Sequence, residues 1–107
     1  TIFSEYLKVS KINSKDAIMI FSVGGGSLAK NVSLNLISAI KVAKAKQLKI
    51  FSLLGKEDGY AANNSNISIV IPVQDKTLIT PMSEAFQAVI WHCIVSHPSL
   101  ALNATKW

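Results

Sequence analysis

Arginine is missing from this chain of 107 residues, since all eleven of its basic side chains are lysines. The chain therefore lacks the side chain best suited to recognise phosphates and bases through paired hydrogen bonds. No zinc-finger or aromatic RNA-binding motif is present either, so the net charge of +5 does not indicate a nucleic-acid partner. A solvated helix face explains the main basic cluster, which consists of Lys41, Lys44, Lys46 and Lys49.

Cysteine and long apolar runs are scarce as well. The single cysteine, Cys93, excludes an internal disulfide framework and fits a reducing compartment, so we expect a cytoplasmic location. The apolar runs are too short to predict a membrane span, and the sequence does not open like a signal peptide. With 50% hydrophobic and 16% charged residues, the composition indicates one small globular domain with no membrane partner.

The most informative stretch of the sequence is a junction between a strand and a helix. Ala17–Phe21 is an unbroken apolar run, Ser22–Ser27 contains three consecutive glycines, and Leu28–Lys46 repeats apolar residues at helical spacing. Glycines let backbone N–H groups approach a ligand, and a helix N-terminus favours negative charge. The junction therefore predicts an anion pocket with phosphate as its ligand. A tight corner without a ligand is the alternative interpretation.

The remaining pattern alternates between strands and helices. Strands this apolar are covered on both faces, which predicts an α/β fold: a three-layer αβα sandwich with a parallel sheet of flavodoxin-like topology. In such sheets ligands bind at the carboxyl ends of the strands. The predicted elements are helices over Ile2–Lys8 and Leu28–Lys46, strands over Ala17–Phe21, Leu48–Leu54 and Ile67–Val73, a helical turn over Tyr60–Asn63, and a last helix from Thr80 (cap) and Pro81 (first position) to about His97.

Several motifs in this order resemble those of the SIS (sugar isomerase) domain, and of its phosphoheptose isomerase branch in particular. They are Ser22–Ser27 with Asn31-Val32, then Leu53–Gly59, then Thr80–Glu84 with His92. The resemblance covers most of the chain. It implies a SIS-type fold and a sugar-phosphate isomerase that interconverts an aldose and a ketose, such as sedoheptulose 7-phosphate and its aldose isomer.

The resemblance also implies which residues form the site. Glu84 and His92 take the places of the catalytic pair on the last helix, which transfers the proton between C1 and C2 or helps to bind a zinc ion. Gly24 stands where members of the family often have a phosphate-binding serine. The implied substrate phosphate-binding residues are Ser22, Gly24, Gly25, Gly26, Ser27 and Asn31.

Each of these residues has a structural alternative. Glu84 and His92 are eight residues apart, roughly 12 Å along a helix, so a shared metal ion needs a bent first turn or converging side chains. Glu84 can instead favour the helix dipole, and His92 can be a packed core histidine. Gln87 is interpreted as an ordinary polar surface residue, and Cys93 as a small core residue.

Members of this branch carry a further N-terminal portion, so we expect the chain to be a partial SIS domain over residues 1–107. Apolar surface left uncovered by that portion would make it a homo-oligomer. Two other functions stay open: a non-catalytic sugar-phosphate-binding SIS module, and a nucleotide- or flavin-binding domain. Against the latter, the sequence has no G-x-G-x-x-G pattern and no acidic residue at the end of its second strand.

Overall fold

Strands and helices alternate in the structure, a computed structural model that describes residues 1–104. The predicted α/β class is confirmed, and most predicted boundaries lie within three residues of the observed ones. The elements are α1 (Ile2–Val9), β1 (Ala17–Ser22), α2 (Leu34–Ala45), β2 (Lys49–Leu54), α3 (Tyr60–Asn64), β3 (Ile67–Val70) and α4 (Ile79–Ser96), with a 3₁₀ turn over Lys76–Leu78.

The three strands form one parallel sheet in the order β1-β2-β3. Ser22 of β1 is in register with Leu54 of β2, and Leu54 with Val70 of β3. Because the strands are parallel, their carboxyl ends meet at one edge, and the loops that follow them are brought side by side.

The core lies between one face of this sheet and helix α2. Ile20, Ile50 and Leu54 point to this face and pack with Ile40 and Ala43 of α2, all at most 5% exposed. Helix α1 packs on α2 in turn. The next side chain along β2, Leu53, is also buried but points to the opposite face. Helix α4 contacts β2 there, which gives the three-layer arrangement that the sequence predicts.

Helix α2 begins six residues later than the sequence predicts. Residues 27–33 form a loop instead, in which Ser27 and Val32 exchange two backbone hydrogen bonds of 2.9 Å. Asn31 and Ser33 have φ angles of +57° and +52°, which cannot continue a right-handed helix. The predicted helix over Leu28–Lys46 is therefore wrong at its start. The first turn of α2 still packs against the glycine turn, because a Cβ added to Gly26 would lie 3.0 Å from the side chain of Ile37.

The start of α4 also differs from the prediction. The helix begins at Ile79 after the 3₁₀ turn, so Thr80 is not its cap and Pro81 is not its first residue. Pro81 still lies in the first turn, where its missing N–H has no helical partner to lose. Asp75 caps the 3₁₀ turn: Thr77 donates both its N–H (2.9 Å) and its hydroxyl (2.7 Å), which lowers the pKa of that carboxyl.

Much of α4 is apolar and exposed. The segment Lys76–Ser96 is long and apolar enough to cross a membrane by length and composition, with a mean hydropathy of 1.2 and only 11% of that window buried. The prediction from unbroken apolar runs missed this segment, because polar residues such as Glu84 and Gln87 interrupt it. The exposed apolar residues of α4 are Met82, Phe86, Val89, Trp91 and Val95.

The later start of α2 predicts different costs for two leucine-sized truncations. Ile40→Ala removes a fully buried side chain and should lower the free energy of unfolding by about 2–5 kcal/mol. Leu28→Ala should change it by less than about 1 kcal/mol, because Leu28 is 55% exposed in the loop. Urea unfolding of both variants measures the two losses in unfolding free energy. Equal losses would contradict the loop and favour the longer predicted helix.

Candidate functional site

The turn after β1 holds its shape through hydrogen bonds within the loop. Ser22 Oγ accepts a hydrogen bond from the N–H of Gly25 at 3.0 Å. Gly25 and Gly26 have φ angles of +76° and +82°, a region in which side chains with a Cβ are strained. These two positions therefore require glycine for the path of the backbone. We call residues 22–27 the glycine loop.

The glycine loop packs directly against the start of α3. The carbonyl oxygens of Gly25 and Gly26 accept the N–H groups of Ala61 and Tyr60, each at 2.9 Å. The contact is so close that a Cβ added to Gly59 would overlap the carbonyl oxygen of Gly24. The first two N–H groups of α3 are thus used by the loop itself and are not free for a ligand.

Two of the three glycines in the glycine loop have a backbone donor left over. Within residues 1–104, the N–H groups of Gly24 and Gly26 make no hydrogen bond. Both glycines line a cavity of about 240 Å³ at the carboxyl edge of the sheet, which we call the loop cavity. Two lysines, one carboxylate and one hydroxyl complete its polar lining: Lys30, Lys56, Asp58 and Ser27. Backbone donors beside two ammonium groups form a site that suits an anion.

Some of the predicted phosphate-binding residues line the loop cavity and the others do not. Gly24, Gly26 and Ser27 line the loop cavity. Ser22 and Gly25 do not line it, but their mutual hydrogen bond shapes the loop. Asn31 lies exposed in the following loop and does not line the cavity.

Sequence reasoning missed Lys30 and Lys56, the two cations of the loop cavity. Lys56 had a signal, because it directly follows Gly55 at the end of a predicted strand. Lys30 had none, because the predicted helix placed it on a helical surface. The loop that replaces this part of the helix brings it to the cavity.

A second cavity lies on the other side of the loop that follows β2. Its volume is about 790 Å³, and its walls include Gly55, Lys76 and Ile79. Lys56 and Asp58 line both cavities, so the two spaces adjoin at these side chains. We call it the outer cavity.

The predicted catalytic residues lie elsewhere on α4. Glu84 and His92 are both exposed, and neither lines the loop cavity or the outer cavity. The face of α4 turned to the sheet carries Ser83 and Gln87 instead, which are 0% and 8% exposed. His92 lies five residues past Gln87, about 140° around the helix axis. Its ring stacks on Trp91 with the centroids 3.8 Å apart, so the alternative of a core histidine is wrong.

The donor set on α4 does not fit a complete zinc site. Structural and catalytic zinc ions take at least three protein ligands. Among residues 1–104, no three His, Cys, Asp or Glu side chains come together. Glu84 and His92 would supply two ligands at most, from positions roughly 12 Å apart along the helix axis. We therefore derive no chemical step through a metal ion.

Gln87 links α4 to the ends of two strands. Its buried Nε2 donates to the carbonyl oxygens of Ser22 (3.0 Å) and Leu53 (2.8 Å). One turn earlier, the hydroxyl of Ser83 is buried and has no hydrogen-bond partner among residues 1–104. It touches Gly55, where a Cβ would overlap it. The interpretation of Gln87 as a surface residue is wrong; its spacing of four from Ser83 in an apolar helix was the available signal.

Cys93 is exposed, so its interpretation as a small core residue is wrong as well. The free thiol lies on the part of α4 that does not face the sheet. It lines neither the loop cavity nor the outer cavity.

The close approach of Gly59 and Gly24 predicts a large cost for adding one methyl group. Gly59→Ala should lower the free energy of unfolding by about 2 kcal/mol or more, because backbone must move to admit the Cβ. Gly24→Ala is the matched control, since a Cβ at Gly24 meets nothing within 4 Å. Chemical unfolding of the two variants decides this; equal stabilities would show that the contact is not formed.

The hydrogen bonds of Gln87 predict a second loss of stability. Gln87→Leu leaves two strand-end carbonyls without their donor and should cost about 1–3 kcal/mol in unfolding free energy. Gln74→Leu, at an exposed position before α4, should be nearly neutral. Thermal and urea unfolding measure both, and a neutral Gln87→Leu would contradict the link.

No family model matches the chain. Over 81 residues it is 28% identical to the lincomycin biosynthesis protein LmbN of Streptomyces lincolnensis, which covers 75% of this chain and 30% of that protein. The structure is similar to that of a phosphoheptose isomerase from Francisella tularensis, with a TM-score of 0.63 and 23% sequence identity. This match covers 86% of the chain and 46% of the isomerase.

The chain thus spans less than half the length of each of these two proteins. At 23% identity this match shows the fold alone, and that fold is the α/β arrangement that the SIS resemblance implied. The described residues therefore have the SIS-type α/β fold of a phosphoheptose isomerase, over about half of that protein's length.

Proposed function

We propose that the loop cavity binds the phosphate group of a phosphorylated sugar, and that the chain is part of a sugar-phosphate isomerase. The observation that carries this proposal is the pair of unused N–H groups at Gly24 and Gly26 beside Lys30 and Lys56. They lie at the carboxyl edge of a parallel sheet, where ligands of this fold class bind.

The sizes of the two cavities support a phosphorylated sugar. The loop cavity, at about 240 Å³, lies below the range of about 300–1,000 Å³ typical of whole-ligand pockets. It has room for a phosphate group and the first atoms of a chain. The adjoining outer cavity, at about 790 Å³, can hold the remaining polyol. Asp58 borders both and can accept a hydrogen bond from a sugar hydroxyl.

Aldose–ketose isomerisation needs a base that moves a proton between neighbouring carbons. A carboxylate such as Glu84 or an imidazole such as His92 can do this when it lies within hydrogen-bond reach of the substrate. In the described chain both are exposed and lie outside the two cavities. They can act on a bound sugar only if it extends to their side of α4 or is held by another copy.

This placement favours a second candidate, a non-catalytic sugar-phosphate-binding module. Such a module needs the loop cavity but neither Glu84 nor His92. Both candidates predict the same ligand class and differ only in turnover, so one titration followed by one product assay separates them.

We also propose that the chain forms a homo-oligomer in the cytoplasm. The exposed apolar side chains of α4, among them Phe86 (45%) and Val89 (54%), form the kind of surface that proteins bury on association. The exposed thiol of Cys93 suits a reducing compartment.

Titration with sedoheptulose 7-phosphate tests the proposal. We expect a saturable rise in the melting temperature, because the ligand binds only the folded chain. Lys56→Gln should weaken the affinity up to about fivefold through the loss of one cation, whereas Lys41→Gln, outside the cavity, should not. No stabilisation by this or any other phosphorylated sugar would refute the phosphate site.

A product assay on the same samples separates the two candidates. Turnover that Glu84→Gln or His92→Ala abolishes, without loss of binding, identifies an isomerase with these residues in the proton transfer. Binding without any turnover by the unsubstituted chain identifies a binding module. Turnover that survives both substitutions would assign the base to another residue.

A further inference from the structure

A polar cavity of about 370 Å³ lies at the amino ends of β2 and β3, the edge of the sheet opposite the glycine loop. It is formed by the end of α2, the start of β2 and the loop between α3 and β3. We call it the amino-edge cavity. Its polar lining consists of Lys44, Gln47, Lys49, Asn63, Asn64, Ser65 and Asn66.

Hydrogen bonds inside the protein already use two side-chain acceptors around this cavity, those of Asn64 and Asn66. Asn64 Oδ1 accepts from Lys44 Nζ, and Asn66 Oδ1 accepts from the N–H of Ile50, both at 2.8 Å. The carbonyl oxygens in the last turn of α2 are also paired. Those of Val42, Ala43 and Lys44 accept the N–H groups of Lys46 (3.0 Å), Leu48 (2.9 Å) and Gln47 (3.0 Å).

The donors of the cavity, by contrast, are largely unused. Within residues 1–104, Lys49 Nζ, Asn66 Nδ2 and the side-chain amide of Gln47 make no hydrogen bond, and Lys44 Nζ uses one of its three protons. The hydrogen bond from Ile50 to Asn66 Oδ1 fixes the amide of Asn66, so its Nδ2 is oriented without a protein acceptor.

The charge of the cavity is positive and uncompensated. No carboxylate lines it. The carboxylate of Asp16, which comes just before β1, accepts the N–H of Asn13 at 2.9 Å. In the described part of the chain, the one ion pair joins Lys8 and Glu5, so neither Lys44 nor Lys49 has an acidic partner.

We propose that the amino-edge cavity is a second anion site, and that its ligand is a phosphate dianion, free or on a small metabolite. Two ammonium groups and two amides supply several donors for the oxygens of one phosphate. A nucleic-acid strand fits less well, because no aromatic side chain lines the cavity for a base to stack on. This site is independent of the proposed function of the glycine loop.

An NMR titration of the full ¹⁵N-labelled chain tests this proposal. Sodium phosphate and glycerol 3-phosphate are added separately, with sodium chloride adjusted to hold the ionic strength constant. We expect saturable shifts of the Asn66 side-chain amide and of the backbone N–H groups of Gln47 and Lys49. A higher affinity for glycerol 3-phosphate indicates a metabolite as the ligand, and a higher affinity for phosphate indicates the free ion.

Three variants make the test specific. Lys49→Gln should weaken phosphate affinity about three- to fivefold by removing one cation. Asn66→Asp keeps the oxygen that accepts from Ile50 but replaces the donor with a negative charge, and should abolish binding. Lys41→Gln, an exposed lysine of α2 outside the cavity, should bind like the unsubstituted chain. The spectra themselves show whether each variant is folded.

Shifts that do not saturate would overturn the proposal, and so would a loss of affinity in Lys41→Gln equal to that in Lys49→Gln. Either result would indicate a non-specific attraction between phosphate and the positively charged chain. Shifts confined to residues 22–27 would also overturn it while supporting the glycine loop. Saturable shifts at Asn66 without any at residues 22–27 would support this site alone, since the glycine loop is tested by the titration with a phosphorylated sugar.

Discussion

The close packing of the glycine loop against the start of α3 is the contact that sets the candidate site. Gly59 and Gly24 approach without room for a Cβ, and the carbonyls of Gly25 and Gly26 cap the first N–H groups of α3. Within residues 1–104 the N–H groups of Gly24 and Gly26 stay unpaired, and both glycines line the loop cavity. One backbone contact thus joins the sheet edge, a short helix and the anion site.

Helix α4 is hydrogen-bonded to the same edge of the sheet through the side-chain amide of Gln87. Gln87 donates to the last carbonyl of β1 and to that of Leu53, so the helix is tied where the glycine loop begins. The rest of α4 is largely exposed although it is apolar, and the segment Lys76–Ser96 also meets the length and composition of a membrane span. A second protein surface on this helix would bury the same residues.

The two ends of the parallel sheet differ in what they offer a ligand. At the carboxyl edge, the donors are backbone N–H groups that only a glycine-rich turn can present, with lysines beside them. At the amino edge, the donors are side chains whose acceptor atoms already hold the protein together, as Asn66 shows. Two anion sites of different construction are therefore compatible with one small sheet.

The sequence by itself determined the order of elements and the parallel sheet. Apolar runs and their spacing indicate which side chains are buried and in which type of element, and this information lies in neighbouring residues of the sequence. The strand from Ala17 and the helix end near His97 were predicted within one residue. The glycine loop was also found, because three adjacent glycines are visible without any tertiary contact.

Only the tertiary structure decided where α2 begins and which face of α4 meets the sheet. Asn31 and Ser33 adopt positive φ angles that no residue pattern signals, so the apolar spacing of Leu28 and Val32 suggested a helix where a loop forms. Gln87 is buried because two strand-end carbonyls lie within its reach, and these come from residues 65 and 34 positions away. Long-range partners of this kind fix the site, since hydrogen bonds depend on distance in space and not on spacing along the chain.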